Sequence, residues 1–220
     1  MGIINASVGG TPIEAWMSEK ALRPFEEPYA TLQKLKDTAY VMQVNQKAAA
    51  AAKARQLPPP DAGLTEPKPW YSEGYQPLGW RNFYLPGYWE DQGVKDLNGV
   101  VWFKKSIYLD KKWDGLPARL FMGRIVDADE VYLNGQKIGQ TTYQYPQRRY
   151  FVPAGLLRAG ENTFTIRVTN TGGKGGFVPD KPYYLFAGAD TVLLEGKWLY
   201  KVGQVIPPAA PLPGGIMAQN

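Results

Sequence analysis

The sequence predicts a mainly β protein, an antiparallel β-sandwich preceded by a strand–turn–helix fragment of an α/β domain. The 220 residues include 24 glycines and 19 prolines, concentrated after the first quarter of the chain, which favours many turns and short strands. Roughly seven or eight short apolar segments with turn residues between them follow residue 70, as in a sandwich. The apolar share of 44% and the aromatic share of 13% are typical of a folded chain.

The opening residues predict a buried strand, a glycine turn and a helix start. Residues 2–8 are small and apolar without period-two alternation, as in a strand covered on both faces of a parallel sheet. Gly9-Gly10 supplies the turn, Thr11 is the predicted N-cap, and Glu14 can complete a capping box behind Pro12. The glycine pair fits a simple tight turn as well as a turn that binds a ligand.

The segment from Pro28 to Arg55 is predicted as one helix. Its apolar residues recur at spacings of three and four and form a single stripe, and the alanine run 48–52 has high helix propensity. The prolines at 58–60 end this helix, because proline cannot continue one. Residues 61–69 are then predicted to be a linker.

The predicted strands of the sandwich follow from alternation or from short apolar runs. Asn134-Gly135 directly follows one such run and predicts a two-residue hairpin, because both residue types tolerate the positive φ of a type I′ turn. The strands are predicted at residues 100–109, 118–122, 130–133, 136–139, 162–170, 191–194 and 198–202.

The two parts differ in whether they can bury a core alone. A β-sandwich can bury its own core, whereas a single parallel strand needs neighbouring strands and covering helices. We therefore expect residues 1–60 to be part of an α/β domain whose other strands lie elsewhere. Residues 61–69 link it to a sandwich at 70–203, and the proline-rich residues 204–220 lead back to it.

Composition excludes several kinds of site. The chain has no histidine and no cysteine, which excludes a complete Ser–His–Asp triad, zinc sites made of His and Cys, and disulfides. The net charge of +5 is spread over pairs such as Lys104-Lys105, which favours a solvated surface over a nucleic-acid interface. No apolar run approaches the roughly 18 residues of a membrane span, so we expect no membrane partner.

Several segments resemble one known family, the bacterial sialate O-acetylesterases and related carbohydrate acetylesterases of the SGNH hydrolase superfamily. Their sandwich insert is similar to the galactose-binding-like jelly roll of glycoside hydrolases, here in the hairpin Glu130–Gly135 and the strand start Gly160–Thr163. The segments that carry the resemblance are 2–16, 86–91, 99–103, 123–135, 141–146 and 175–183.

The resemblance implies a portion of an esterase that hydrolyses acetyl esters on sugars. The family places its serine in a Gly-Gln-Ser-Asn segment and its histidine in an Asp-x-x-His segment, and neither occurs here. The chain therefore has no catalytic residue of its own, and we expect it to be inactive when isolated. Gly9, Gly10 and Thr11 are implied to line the cleft or its oxyanion hole. The parent enzyme is expected in the periplasm or outside the cell.

Four further residues are candidate substrate contacts: Glu14, Tyr143, Arg148 and Phe177. Glu14 is equally interpreted as a capping residue. Tyr143 and Arg148 lie in a segment of tyrosines and arginines that suits sugar or carboxylate recognition, or plain cross-strand packing. Phe177 ends a glycine-rich loop, Gly172–Phe177, that either reaches over the cleft or is only a loop.

Metals and cofactors are not indicated. Asp127, Asp129 and Glu130 form an acidic group beside a turn, but calcium needs six or more converging oxygens, so a solvated turn is the alternative. The expected partners are an acetylated carbohydrate and the remainder of the esterase domain. Two other functions stay open: a carbohydrate-binding module, which the seven tryptophans favour, and a structural spacer bracing the parent active site.

Overall fold

The computed structural model describes residues 12–54 and 58–207. They fall in two compact units, a helical one that holds residues 12–54 and a second that begins at Pro58 and contains every strand described. The predicted strand at 2–8 and most of the return segment 204–220 lie outside the described residues. Within the described ranges, no helix has the length and apolar character needed to cross a membrane.

The helical unit contains a 3₁₀ turn at Ile13–Trp16 and three helices, α1 (Glu19–Leu22), α2 (Glu26–Lys36) and α3 (Thr38–Ala54). The prediction of one helix from Pro28 is therefore wrong at its middle. Asp37 ends α2 with an extended backbone, and its side chain then accepts hydrogen bonds from the amides of Ala39 and Tyr40, 2.9 and 3.3 Å away. A residue that offers such a cap starts a new helix more readily than it continues an old one.

The second unit is an antiparallel β-sandwich that also carries one short helix, α4 (Ala62–Thr65). Its strands are β1 (Arg81–Leu85), β2 (Gly87–Tyr88), β3 (Gly99–Leu109), β4 (Ala118–Met122), β5 (Ile125–Val126), β6 (Ala128–Leu133), β7 (Gln136–Thr141), β8 (Arg149–Val152), β9 (Gly160–Asn170), β10 (Gly176–Phe177), β11 (Tyr183–Ala187), β12 (Asp190–Leu193) and β13 (Gly196–Val205).

Three sheets form the sandwich. The largest has the order β1-β13-β3-β9-β6-β7, and it packs against a four-stranded sheet of order β12-β11-β4-β8. A small sheet, β2-β10-β5, adds Ile125 and Phe177 to the same core. Inward residues such as Phe103 and Ile166 meet Leu120 from the opposite sheet, and all three are fully buried. The predicted fold class, a mainly β protein built on an antiparallel sandwich, is confirmed.

The outer face of the six-stranded sheet is covered as well. Residues 58–80, which we call the cover segment, pack Trp70 and Trp80 against Trp102 and Tyr132 of the sheet. Because both faces of β3 are covered, its first six residues are all buried. The linker predicted at 61–69 is thus part of the folded sandwich unit.

A carboxylate near the start of the cover segment fixes it to the sheet. Asp61 is 6% exposed and accepts hydrogen bonds from the Trp102 Nε1 at 2.9 Å and the Arg167 Nε at 2.7 Å. It also caps α4 through the amide of Gly63 at 3.0 Å. One side chain therefore joins the cover segment to β3 and β9.

A second buried ion pair lies inside the sandwich. The Arg148 Nε donates to Asp129 Oδ1 at 2.6 Å, and both side chains are fully buried. The other Arg148 nitrogens donate to backbone carbonyls, including those of Ile125 and Asp127 at 2.8 and 2.7 Å, while Tyr150 donates to Asp129. Burial raises the pKa of the Asp129 carboxyl, and Arg148 opposes that shift.

The first prediction concerns this pair. Arg148→Met leaves Asp129 buried without its counter-charge, so we expect the free energy of unfolding to fall by about 3–5 kcal/mol. Urea denaturation measures the loss. The matched control is Lys112→Met, which breaks a 2.6 Å pair with Asp190 whose side chains are about half exposed, and it should cost far less than Arg148→Met because solvent screens the pair. Equal losses in the two variants would contradict this account.

The second prediction concerns the contact beneath Asp61. A Cβ added at Gly203 of β13 would overlap the Asp61 carboxylate and the Trp102 ring. Gly203→Ala should therefore reduce the free energy of unfolding by about 1–3 kcal/mol through overpacking. At Gly172 a Cβ meets open space, so Gly172→Ala should change stability by no more than about 0.5 kcal/mol in the same assay. If Gly203→Ala leaves the free energy of unfolding unchanged, Asp61 of the cover segment is not closely packed against β13.

Candidate functional site

A groove of 680 Å³ lies on the outer face of the six-stranded sheet, and we call it the outer groove. It lies entirely within the sandwich unit. One wall is the loop Tyr71–Pro77 of the cover segment, and the floor is formed by neighbouring strands and the β6–β7 turn. The residues that line the floor and the other rim are Lys104, Lys105, Ser106, Asn134, Gly135, Arg158, Glu161, Thr163, Lys197, Trp198 and Leu199.

Three contacts hold the wall in place. Tyr71 stacks on Tyr132 with ring centroids 4.4 Å apart. Gly135, with a φ of +85°, lets the hairpin turn approach the backbone of Glu73, where a Cβ would lie 2.9 Å from the Glu73 nitrogen. Arg158 then pairs with the Glu73 carboxylate at 2.6 Å. The hairpin predicted at Asn134-Gly135 is confirmed and also serves as a support for the groove.

The floor follows from strand alternation. Along β3, Val101 and Phe103 point into the sandwich, so Trp102, Lys104 and Ser106 point outward. Ser106 pairs with Thr163 of β9 in the strand register, and their hydroxyl oxygens are 2.9 Å apart. The floor thus offers hydroxyl groups that both donate and accept hydrogen bonds.

Lys104 is the unusual residue of the groove. It is 5% exposed, and its Nζ lies 5.5 Å from the centroid of the Tyr75 ring. Burial, assisted by the nearby positive charge of Lys68, lowers the pKa of the Lys104 ammonium from 10.5 to about 8. The sequence had assigned Lys104-Lys105 to a solvated surface; Tyr75 of the cover segment packs over Lys104 and helps to bury it.

Lys105 is held differently from Lys104. Its Nζ donates to the carbonyls of Glu195 and Lys197 at 2.9 and 3.2 Å and lies 5.8 Å from the Trp198 ring centroid. Burial lowers the pKa of this ammonium too. The groove therefore contains two partly desolvated cations beside hydroxyl groups and tyrosine rings.

A second surface, on the outer face of the four-stranded sheet, is less suited to a small ligand. Phe121 and Tyr184 stack with centroids 4.6 Å apart, and Arg149 lies 6.0 Å from the Phe121 centroid. Because rings on neighbouring strands stack against each other, they stand on edge and form a ridge rather than a flat platform. The outer groove, which has polar groups on its floor beside a raised wall, is the better candidate site of the two.

The residues predicted from the esterase resemblance are not brought together. Gly9, Gly10 and Thr11 lie outside the described residues. Glu14 is exposed on the 3₁₀ turn of the helical unit, where Pro12 and not the predicted Thr11 occupies the N-cap position. Tyr143 is exposed in the β7–β8 loop and does not line the outer groove.

Arg148 and Phe177 have structural roles instead of the predicted substrate contacts. The Arg148 guanidinium is fully engaged with Asp129 and carbonyl groups, as described above. Phe177 is fully buried in the sandwich core and packs edge-on to Phe103 at 4.9 Å. Neither side chain reaches solvent, so neither is available to a ligand.

The acidic group and the glycine-rich loop also have structural explanations. Asp129 pairs with Arg148, and Glu130 bonds Lys137, Tyr132 and Arg167, so these carboxylates do not converge on a cation. In the described ranges no group of three or more potential metal ligands is found. The loop is fastened by Lys174, which pairs with Asp91 at 2.6 Å, and by the amide of Gly175, which donates to Glu90.

Comparison with known proteins finds structural neighbours among glycosidases. The sandwich is similar to a β-glucuronidase from Ruminococcus gnavus at 12% identity and a TM-score of 0.39, covering 54% of this chain and 34% of that one. A glycosyl hydrolase family 2 member from Bacteroides cellulosilyticus matches at 21% identity and a TM-score of 0.41, over 48% and 17% of the two chains. A family 2 β-galacturonidase from Eisenbergiella tayi matches at 14% identity and a TM-score of 0.37, and the match covers 56% of this chain and 23% of that one.

These neighbours correct the predicted family. They are family 2 glycoside hydrolases and not SGNH hydrolases, so the assignment to the sialate O-acetylesterases is wrong, and the expected acetyl-ester hydrolysis falls with it. The chain spans about a third or less of the length of these neighbours. No protein-family model and no curated protein matches it. At these TM-scores the activities of the neighbours say nothing about this chain.

The third prediction tests how much the buried charge of Lys104 destabilises the folded protein. The folded chain holds this lysine at a lowered pKa, so between about pH 8 and pH 10.5 the unfolded chain binds more protons and stability rises with pH. Lys104→Met removes the buried charge and should stabilise the protein at pH 7 by about 1–3 kcal/mol. The gain should shrink as the pH approaches 10.5.

Urea denaturation of both proteins at pH 7 and pH 10.5 measures the effect. Lys197→Met is the control, because it removes an exposed lysine from the same groove, and it should change stability at pH 7 by no more than about 0.5 kcal/mol. A Lys104→Met protein that is less stable than the wild type at pH 7 would contradict the prediction.

Proposed function

We propose that the sandwich is a non-catalytic carbohydrate-binding module and that the outer groove is its binding site. The observation that supports this is the combination of groups in one groove: its wall carries tyrosine side chains, and its floor carries hydroxyl and ammonium groups. Its 680 Å³ lies within the range of about 300–1,000 Å³ found for small-molecule sites. Sugars present apolar C–H faces together with many hydroxyl groups, so they need both kinds of contact.

The wall and the floor supply these contacts from different elements. Tyr75 and Gln76 come from the cover segment, whereas Ser106 and Thr163 come from paired central strands of the sheet. Sites built on strands are rigid, and the wall is fastened by the Tyr71–Tyr132 stack and the Arg158–Glu73 pair. Such a groove is largely formed before a ligand arrives, which reduces the ordering cost of binding.

Binding is favoured over hydrolysis by the state of the acidic residues. Glycosidases use two carboxylates that flank the scissile bond. Two acidic residues line the groove, and one of them, Glu73, is held by Arg158 at 2.6 Å and fastens the wall. Glu73 is therefore engaged in a structural contact, and the groove supplies recognition groups from its floor and wall.

The fourth prediction tests this function with the full chain. Calorimetric titration with a panel of neutral and acidic oligosaccharides should show binding at millimolar concentration or better. Tyr75→Ala should weaken it at least about tenfold, since a tyrosine in a pocket often supplies a large part of binding energy. Because Tyr75 also packs on Trp80, a second variant, Ser106→Phe, fills the groove from an exposed position of β3 and leaves Tyr75 and Trp80 themselves unchanged.

The matched control is Tyr143→Ala, which removes an exposed tyrosine that does not line the groove and should leave the affinity unchanged. Thermal unfolding confirms that each variant is folded. If no oligosaccharide of the panel binds, or if binding survives Ser106→Phe, the outer groove is not a carbohydrate site.

A further inference from the structure

We propose that the outer groove selects saccharides that carry a carboxylate, and that Lys104 receives the carboxylate. This inference rests on the proposed carbohydrate-binding function and specifies its ligand. It starts from a buried cation that the protein itself leaves without a counter-charge.

The environment of Lys104 differs from that of the other buried cations. Arg148 and Arg167 are each bonded to a carboxylate, Asp129 and Asp61 respectively, at 2.6 and 2.7 Å. Within residues 12–54 and 58–207, no carboxylate and no carbonyl bonds the Lys104 ammonium, although its residue is 5% exposed. The Lys104 Nζ is not one of the fully buried side-chain atoms that lack a hydrogen-bond partner, so it is open to the groove, where a ligand atom can replace the water that hydrates it.

The charges around Lys104 make the groove electropositive. Lys105 and Lys197 line it without a carboxylate partner among the described residues, and Lys68 of the cover segment adds a further positive charge close to Lys104. Arg158 is balanced by Glu73. Glu161 is the remaining acidic residue of the lining, so the cations outnumber the acids.

The size and polarity of the groove identify the rest of the ligand. A lone small anion would occupy little of 680 Å³. The Ser106–Thr163 hydroxyl pair lies on the same floor, two residues along β3 from Lys104, and Gln76 lies in the wall above. Hydroxyl groups beside a carboxylate are the chemistry of a uronate, in which one sugar ring carries both.

Proton uptake gives a readout that a purely structural lysine would not produce. Burial and Lys68 lower the pKa of the Lys104 ammonium to about 8, so near that pH a fraction of the molecules holds it neutral. A bound carboxylate favours the charged form and raises the pKa again. Binding of an acidic saccharide near pH 8 should therefore take up protons, and its affinity should fall as the pH rises above 8.

The fifth prediction compares two ligands that differ only at C6, an α-1,4-linked galacturonate trimer and the galactose trimer of the same linkage. Calorimetry with the full chain at pH 6.5 and low salt should show the acidic trimer binding at least about tenfold more tightly. Lys104→Met should remove the preference, so that the acidic trimer binds the variant no more tightly than the neutral trimer does. At pH 8, titrations in buffers of different ionisation enthalpy should reveal proton uptake for the acidic trimer alone.

Lys112→Met is the matched control, because it removes a lysine that pairs with Asp190 outside the groove, and it should preserve the acidic preference. Equal affinities for the two trimers, or an acidic preference that survives Lys104→Met, would overturn this inference. Binding of the neutral trimer would still support the proposed carbohydrate-binding function in either case. If the acidic trimer still binds the Ser106→Phe variant, its site lies outside the outer groove, and this result also overturns the inference. Inorganic sulfate that binds as tightly as the acidic trimer would identify a simple anion site instead.

Discussion

The architecture depends on one buried carboxylate, that of Asp61. It receives the indole N–H of Trp102 from β3 and the guanidinium of Arg167 from β9, so a segment that belongs to no sheet is fixed to the centre of the largest one. Burying a carboxylate is costly unless it is paired and hydrogen-bonded, and here the partners come from three places in the chain. The aromatic cluster of Trp70, Trp80 and Trp102 closes around this contact, and the outer groove exists because the cluster raises a wall beside β3.

Much of the sandwich could be predicted, because its strands follow local rules. The long strands β3, β9 and β13 and the hairpin at Asn134-Gly135 were found from apolar runs, alternation and turn chemistry. The strands that were missed, among them β1, β8 and β11, have only four or five residues each and carry tyrosine beside other aromatic and apolar residues, and tertiary pairing decides their structure. The helix break at Asp37 was missed because a capping side chain competes with a strongly helical neighbourhood.

The site was harder to predict, for a physical reason. Its two halves are far apart in sequence, and the wall, Tyr71–Pro77, forms no strand or helix that a sequence pattern could reveal. A lysine pair in a strand looks like a solvated edge until something covers it, and only the packing of the cover segment shows that Lys104 is buried. The composition of the tyrosine and arginine segment predicted a substrate contact at Arg148, but the Arg148 side chain is buried and pairs with Asp129. The single local signal for the groove was the cluster of aromatic residues from Trp70 to Trp80.

The way the cover segment is attached has a dynamic consequence. Residues 58–80 add no strand to any sheet and are held by side chains, turns and the carbonyl of Pro59, which accepts from Gln204. Such a segment can open locally while the ladders of the sandwich stay intact, at a free energy below that of global unfolding. Opening removes the groove wall, so the proposed ligand, if it spans Tyr75 and the sheet floor, would hold the segment closed by mass action. Slower amide hydrogen exchange along residues 61–77 on addition of a saccharide would then report occupancy of the groove.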